Sequence, residues 1–554
     1  MTRISYVCKV SCFFLAGLFL FKPAQSQSLI EVLKGQSIIL QDGTTLYHDF
    51  YKPSNKETFP IILIRTPYQK EGIELFGNFF AEEGFGVVIQ DVRGKYSSKG
   101  MFIPFFKEYE DGLQTLDWIQ KQTWFDGNVG MWGSSYLGFS AMILSKSNHP
   151  ALKSIFNLSG WIDGTEISET DGAFHQLLVI PWLLFEGQKT RKSLKGMDLD
   201  EIFLHTPLVD VMPDIEFKDN DGLHKLEEIT RMYQNYPHEQ SAVPTMHVNG
   251  WFDFTLKASL NDYQMLASKA SSTQKMILGP WYHNQLYHEN PMLGDYELPE
   301  NGEANMQWML DEAKDWFKNT LIDSYKTEPN LIRYYVLFKD TWNETEIWPP
   351  KNSVEANYYL SDNNLTENTP TNSNSIFRGF TFDPHNPVPT TGGANFHTFL
   401  EKMGIRDQQD VESREDVLTF STDPFSTDKT FAGNHSVTLY VSTTGIGTDF
   451  TAKLTKVDSA GVSWNLLDAI TRIEPGALKL PVVKVTLNLG DMAFQIKKGE
   501  SIRLQVSSSN FPKYNRNPNS GVESILAKEL KPAQQRIYFS NQYPSHIKLS
   551  LLQN

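Results

Sequence analysis

Two apolar runs, Phe59-Pro-Ile-Ile-Leu-Ile64 and Gly86-Val-Val-Ile-Gln-Asp91, constrain this chain most. Neither alternates with polar residues, so each reads as a strand covered on both faces, as in a parallel sheet. Phe76, Phe79 and Phe80 between them suit a helix, and strand, helix, strand is a parallel crossover unit. The pattern repeats. Tyr109, Leu113, Leu116 and Ile119 recur at helical spacing, Gly127–Trp132 returns as a strand, and Leu152–Leu158 is another. Strand character resumes at Thr245–Asn249 and Lys275–Leu278, followed by an amphipathic helix with Met309, Ala313, Trp316, Phe317 and Leu321 on one face. These elements predict a doubly wound α/β layer made of residues 27–160 and 242–330.

Two regions depart from it. Residues 161–241 carry acidic loops and helical stretches, Gln176–Phe185 and Leu223–Tyr233, and predict a helical cap inserted after the strand Leu152–Leu158. Residues 331–554 contain no convincing long helix but many short alternating runs, among them Arg333–Phe338, Ala356–Leu360, Val437–Val441, Thr451–Val457, Val482–Leu487 and Ile502–Val506. Such runs between turn residues predict an antiparallel sandwich or jelly roll, with Asn363–Ser375 as an exposed excursion. A chain of 554 residues supports this many units, each with its own core.

The first 26 residues read as a secretory leader. Arg3 and Lys9 precede the apolar stretch Val10–Phe21, and Ala24-Gln25-Ser26 places small residues at a cleavage site. The stretch is short for a spanning helix and none longer follows, so stable membrane insertion after cleavage is not expected. Export to the periplasm or medium is. Both cysteines, Cys8 and Cys12, fall in the leader, so disulfides, thiol catalysis and cysteine-bound metals are excluded from the mature chain. Losing Arg3, Lys9 and Lys22 takes the formal charge from −15 to −18, which makes nucleic acid a poor partner.

The stretch Asn128–Gly138 sets Ser135 on a tight turn between strand and helix, flanked by Gly133 and Gly138. A hydroxyl held this way stands clear of the sheet beside backbone N–H groups that can receive an oxyanion. Read alone, a glycine-flanked Ser134-Ser135 pair also suits an ordinary helix N-cap. The second glycine comes one place later than in Gly-x-Ser-x-Gly. Downstream, one strand ends at Asp253 in Asn249-Gly-Trp-Phe-Asp253 and the next at His283 in Gly279-Pro-Trp-Tyr-His283. Serine, aspartate, histidine at successive strand ends is the order of a nucleophile, an orienting acid and a base on one sheet.

With Arg65-Thr-Pro-Tyr68, Gln90-Asp-Val-Arg-Gly94, Ser98, Gly100, Trp124-Phe-Asp-Gly127, Gly133-Ser-Ser-Tyr-Leu-Gly138 and the late Ser507-Ser-Ser-Asn-Phe-Pro512 and Asn515-Arg-Asn-Pro518, the chain resembles the cocaine esterase and X-prolyl dipeptidyl-peptidase family of serine hydrolases. That family includes α-amino acid ester hydrolases, and its elbow is Gly-x-Ser-Tyr-x-Gly, which accommodates the late glycine. The resemblance implies an α/β-hydrolase domain with a helical cap and a C-terminal all-β jelly roll of the galactose-binding-like type. It also implies Ser135 as nucleophile, His283 as general base and acid, and Asp253 as its orienting carboxylate. Its oxyanion hole would be the Tyr136 N–H and the Tyr68 hydroxyl, a donor that stays neutral at pH 7. No cofactor is implied.

Arg93, among glycines near a strand end, reads as a loop tie, and Ser507–Pro518 as a packing edge of the jelly roll. Phe254, Thr255 and Leu256 stand where α-amino acid ester hydrolases carry acids that hold a substrate ammonium. Asp163, Glu166, Glu169 and Asp171 are the available substitutes, although such a charge run also suits a solvated face. The expected activity is an acyl-enzyme hydrolysis of small esters or amides, with X-Pro dipeptide release or amino acid ester hydrolysis as alternatives and glycan binding as a reading of another class. The expected partner is a small ester, amide or short peptide. His283 and His288 lack neighbouring acids at ligand spacing, so no metal is expected.

Overall fold

Strand β3 (Phe59–Thr66), every residue of it buried, lies at the middle of a ten-stranded sheet. The computed structural model describes residues 30–193, 196–211, 243–269, 271–323, 325–372, 376–396, 403–477 and 481–553. The leader and the predicted helix Leu223–Tyr233 lie outside them. The sheet runs β1 (Ile30–Ile39), β2 (Thr45–Pro53), β4 (Gly86–Asp91), β3, β5 (Phe125–Ser134), β6 (Leu152–Leu158), β9 (Thr245–Phe252), β10 (Gln274–Tyr282), β13 (Leu331–Val336), β14 (Thr341–Thr345). The two-residue strands β7 and β8 (Glu169–Thr170, Ala173–Phe174) and β11 and β12 (Met292–Leu293, Tyr296–Glu297) form separate hairpins.

Pairing is parallel from β4 to β13 and antiparallel at both edges. The continuous apolar runs account for the parallel centre, whose strands are covered on both faces. Helices α1 (Glu74–Glu82), α2 (Glu108–Ile119) and α3 (Tyr136–Met142) follow β3, β4 and β5, as their spacing predicts.

The edges differ from the sequence reading. Strands β1 and β2 form an N-terminal hairpin ahead of the first predicted strand, and β1 is largely exposed. At the other edge the expected boundary at residue 331 is displaced: β13 pairs in parallel with β10 through Leu331 opposite Lys275, and β14 folds back on β13. Both strands therefore extend the α/β sheet. The all-β unit starts beyond them, with a strand at Ser353–Ser361 in an eleven-stranded antiparallel-dominated sheet.

The described part of the cap holds α4 (Thr165–Ser168), α5 (Gln176–Glu186) and α6 (Leu199–Leu204). Its small core, Leu177, Ile180, Phe203 and Leu208, closes on Ile525 of the C-terminal unit. The Asn515–Pro518 segment reinforces that closure: Asn515 exchanges backbone and side-chain bonds with Phe174, and Arg516 donates to the Leu204 carbonyl at 2.7 Å. The predicted packing edge is thus also the seat of the cap.

Candidate active site

Ser135 follows the last residue of β5 with φ 56° and ψ −122°, a backbone conformation costly for any residue but glycine. Its neighbours explain how the turn is held. A Cβ on Gly133 would stand 2.1 Å from the Leu137 carbonyl oxygen. One on Gly138 would stand 2.7 Å from Gly160 Cα, just past the end of β6. The late glycine is therefore where α3 crosses the next strand's loop. The Ser135 N–H bonds to the Leu158 carbonyl at 2.9 Å, which anchors the elbow to β6.

His283, fully buried, follows β10, and Asp253 follows β9. His283 Nδ1 is 2.9 Å from both Asp253 oxygens, and Nε2 is 3.1 Å from Ser135 Oγ. An ionised carboxylate only accepts, so Nδ1 carries the hydrogen, and the neutral ring then presents Nε2 as acceptor to the serine hydroxyl. Asp253 also accepts from Ser159 Oγ at 2.6 Å and from the Thr255 N–H and hydroxyl, each at 2.9 Å. Burial pushes this carboxyl up, but His283 and the hydrogen bonds outweigh it and hold it below the ordinary range. The structure thus joins the three residues that the motifs single out.

Tyr68 lies just past β3, its ring centroid 6.3 Å from that of Tyr136, the first residue of α3. The Tyr68 hydroxyl accepts from Trp182 Nε1 of α5 at 3.3 Å, which leaves its own hydrogen to donate elsewhere. Burial raises this phenol, and the Glu186 carboxylate adds to the effect, so it stays protonated across the neutral range. The Tyr136 hydroxyl points away from the serine. It accepts the Phe105 N–H at 2.9 Å and donates to Glu108 at 3.0 Å.

Aromatic rings stand on two sides. Phe105 stacks on Tyr136 at 4.7 Å, with Trp182, Phe139 and Trp161 about them at 5.1 to 6.1 Å. Phe254 lies 4.4 Å from the His283 ring, and Phe396 of the C-terminal unit lies 5.7 Å from it. Ser159, Trp182 and Phe396 are not singled out by sequence, and Thr255 is noted there only for standing where an acid is expected, not as a donor to Asp253. Ser159 and Thr255 are lone hydroxyls without a motif, and the other two arrive from the cap and from the C-terminal unit.

The remaining motifs serve the scaffold. Arg93 forks onto Asp111 at 2.8 and 2.6 Å and reaches Asp42 and Thr44, tying loops as its setting predicts. Glu169 and Asp171 lie toward the C-terminal unit: the Asp171 backbone carbonyl accepts the Arg472 backbone N–H at 2.9 Å, and Glu169 lines a cavity of about 410 Å³ with Arg472 and Asn517. Asp163 lies in the field of Asp262 and Lys146.

Residues 42–285 match the model of the X-Pro dipeptidyl-peptidase (S15) family, and residues 324–548 match that of the X-Pro dipeptidyl-peptidase C-terminal non-catalytic domain. The cocaine esterase of Rhodococcus sp. (strain MB1 Bresler) is 28% identical over 566 residues, covering 93% of this chain and 97% of that protein. Two solved structures share the fold. An aminopeptidase from a marine sediment Thaumarchaeota archaeon superposes with a TM-score of 0.81 at 22% identity, over 96% of this chain and 98% of the other. An α-amino acid ester hydrolase gives 0.79 at 24%, over 97% and 100%. Matched in order by both family models and along most of its length by an esterase, the chain belongs to the cocaine esterase and X-Pro dipeptidyl-peptidase family and is a serine hydrolase.

Proposed function

We propose that the protein hydrolyses small esters or amides through an acyl-enzyme on Ser135. His283 Nε2 takes the hydroxyl proton as Oγ attacks the substrate carbonyl, and Asp253 stabilises the imidazolium that forms. The oxyanion is received by the Tyr136 N–H and the Tyr68 hydroxyl. His283 then gives its proton to the leaving group, and water repeats the sequence to free the acid. The hydrogen-bonded chain Ser135–His283–Asp253 carries this reading. The ring cluster of Phe105, Tyr136, Trp161 and Trp182 beside the serine favours a flat, apolar acyl group.

Fluorophosphonate labelling tests it without a known substrate. Wild type is expected to label and Ser135→Ala is not; a Ser135→Ala protein that still labels or turns over activated esters overturns the assignment. If folded wild type does not label, the glycan-binding reading takes its place. Among p-nitrophenyl esters, benzoyl is expected to outrun acetyl.

X-Pro dipeptide release is the second reading, favoured by the family match at 42–285. It requires a subsite for a free N-terminus, so X-Pro anilides should be cleaved and their N-acetyl forms spared. We further propose export with removal of the leader, which N-terminal sequencing of the protein from the cell envelope or medium would check.

A further inference from the structure

The two proposed oxyanion donors follow different strands, and a buried ion pair between β3 and α2 links them, because its carboxylate also takes the Tyr136 hydroxyl. Arg65 lies on β3, three residues before Tyr68, and is 1% exposed. Its Nη1 is 2.7 Å from Glu108 Oε2 and donates to the Glu108 carbonyl at 2.7 Å, while Nε donates to Gln90 at 3.0 Å. Glu108, 2% exposed, turns its other oxygen to the Tyr136 hydroxyl at 3.0 Å, and Ser140 Oγ, a turn further along α3, lies 3.5 Å away.

Such a pair is a poor source of stability. Desolvating both charges offsets most of their attraction, and Arg65 Nη2 has no hydrogen-bond partner among the described residues. Its geometry points to another role. Tyr136 is pinned at its hydroxyl by Glu108 and the Phe105 N–H and over its face by Phe105, so its ring fixes where its own backbone N–H stands.

We infer that the Arg65–Glu108 pair is a positioning device that sets the Tyr136 N–H against the Tyr68 hydroxyl, so that both donors are in register before the substrate carbonyl arrives. The inference rests on the proposed roles of Ser135, Tyr68 and Tyr136. Glu108 and Arg65 touch no reacting atom. They act through Tyr136 and through the end of β3. An oxyanion hole is effective because its donors need no rearrangement during the reaction, and small misplacements of a reacting geometry lower rates about 100-fold.

The test is Tyr136→Phe, which keeps the ring and the backbone donor and removes the hydroxyl's link to Glu108 together with its bond from the Phe105 N–H. Turnover of an activated ester is expected to fall about 10- to 100-fold in kcat with KM within about twofold. Affinity for a boronic acid, whose tetrahedral adduct places an oxygen in the hole, should weaken by the same factor. Glu108→Gln, which keeps the shape but removes the charge through which Arg65 holds the Tyr136 hydroxyl, is the second variant and should lose kcat alike. The double variant should be no worse than the poorer single one, since both break one link.

Wild-type kcat in folded Tyr136→Phe, or losses that multiply in the double variant, overturns the inference. Ser135→Ala run alongside separates the two levels. If it retains turnover, the reading of the site fails; if it abolishes turnover while Tyr136→Phe keeps wild-type kcat, only the positioning role fails.

Discussion

Two buried carboxyl groups flank the Ser135–His283 pair, Glu108 on the serine side and Asp253 on the histidine side, and their partners differ. Glu108 is matched by a full charge, Arg65. Among the described residues, Asp253 accepts from neutral donors apart from His283: a hydroxyl of Ser159 and the amide and hydroxyl of Thr255. A cation beside Asp253 would hold its charge equally well but would oppose the imidazolium that the proposed mechanism forms on His283. Neutral donors stabilise the carboxylate without that opposition. On the serine side the guanidinium sits beyond Glu108, which separates it from the Tyr136 hydroxyl, so in the proposed mechanism it can fix geometry without facing His283. A third buried carboxyl, Asp262 on helix α7 (Leu256–Lys269), has neither solution in full: it accepts the Ile162 N–H at 2.6 Å, with Lys146 and Asp163 in its surroundings.

The contrast can be broken in order of expected effect. Asp253→Asn leaves His283 without the partner that fixes its tautomer, and kcat should drop about 10⁴-fold at neutral pH, measured with an activated ester. Tyr68→Phe removes one oxyanion donor and should lower kcat about 100- to 1,000-fold with little change in KM; an equal rise in KM would instead assign Tyr68 to substrate binding. Ser159→Ala takes one donor from Asp253, so its carboxyl titrates higher. With the carboxylate less firmly held, its grip on His283 loosens, and kcat/KM should fall about 3- to 10-fold at neutral pH.

The smallest effect concerns stability. Burial raises Asp262 to about 8, against an unfolded value near 3.9. The native state therefore keeps a proton that the unfolded chain has released, and stability declines as pH rises from about 4 to about 8. Asp262→Asn, which retains an acceptor for the Ile162 N–H, should be neutral at pH 4 and stabilise by about 1 kcal/mol or more at pH 8, read by denaturant unfolding.

What was legible in the sequence follows burial. Strands β3, β4, β5, β6, β9 and β10 are covered on both faces, so their apolar runs announce them. The residues at their ends, Ser135, Asp253 and His283, could be read with them. Strand β1 lies mostly exposed at an edge and leaves no such run. Strands β13 and β14 show why the boundary at 331 was misplaced: a period of two identifies a strand but not the sheet it joins. Ser159 depends on the approach of Asp253 from another strand, and Phe396 on the C-terminal unit reaching His283. No local spacing encodes either meeting.

The seating of the cap bears on the order in which a working enzyme can appear. A chain leaving the ribosome presents Ser135, Asp253 and His283 well before Phe396, which covers the histidine ring, and before Arg472, Asn515 and Ile525, on which the cap rests. Helix α5, which brings Trp182 to the Tyr68 hydroxyl, is thereby steadied by the last part of the polypeptide to be made. A truncated product would carry the whole triad yet lack the parts that hold the cap over it.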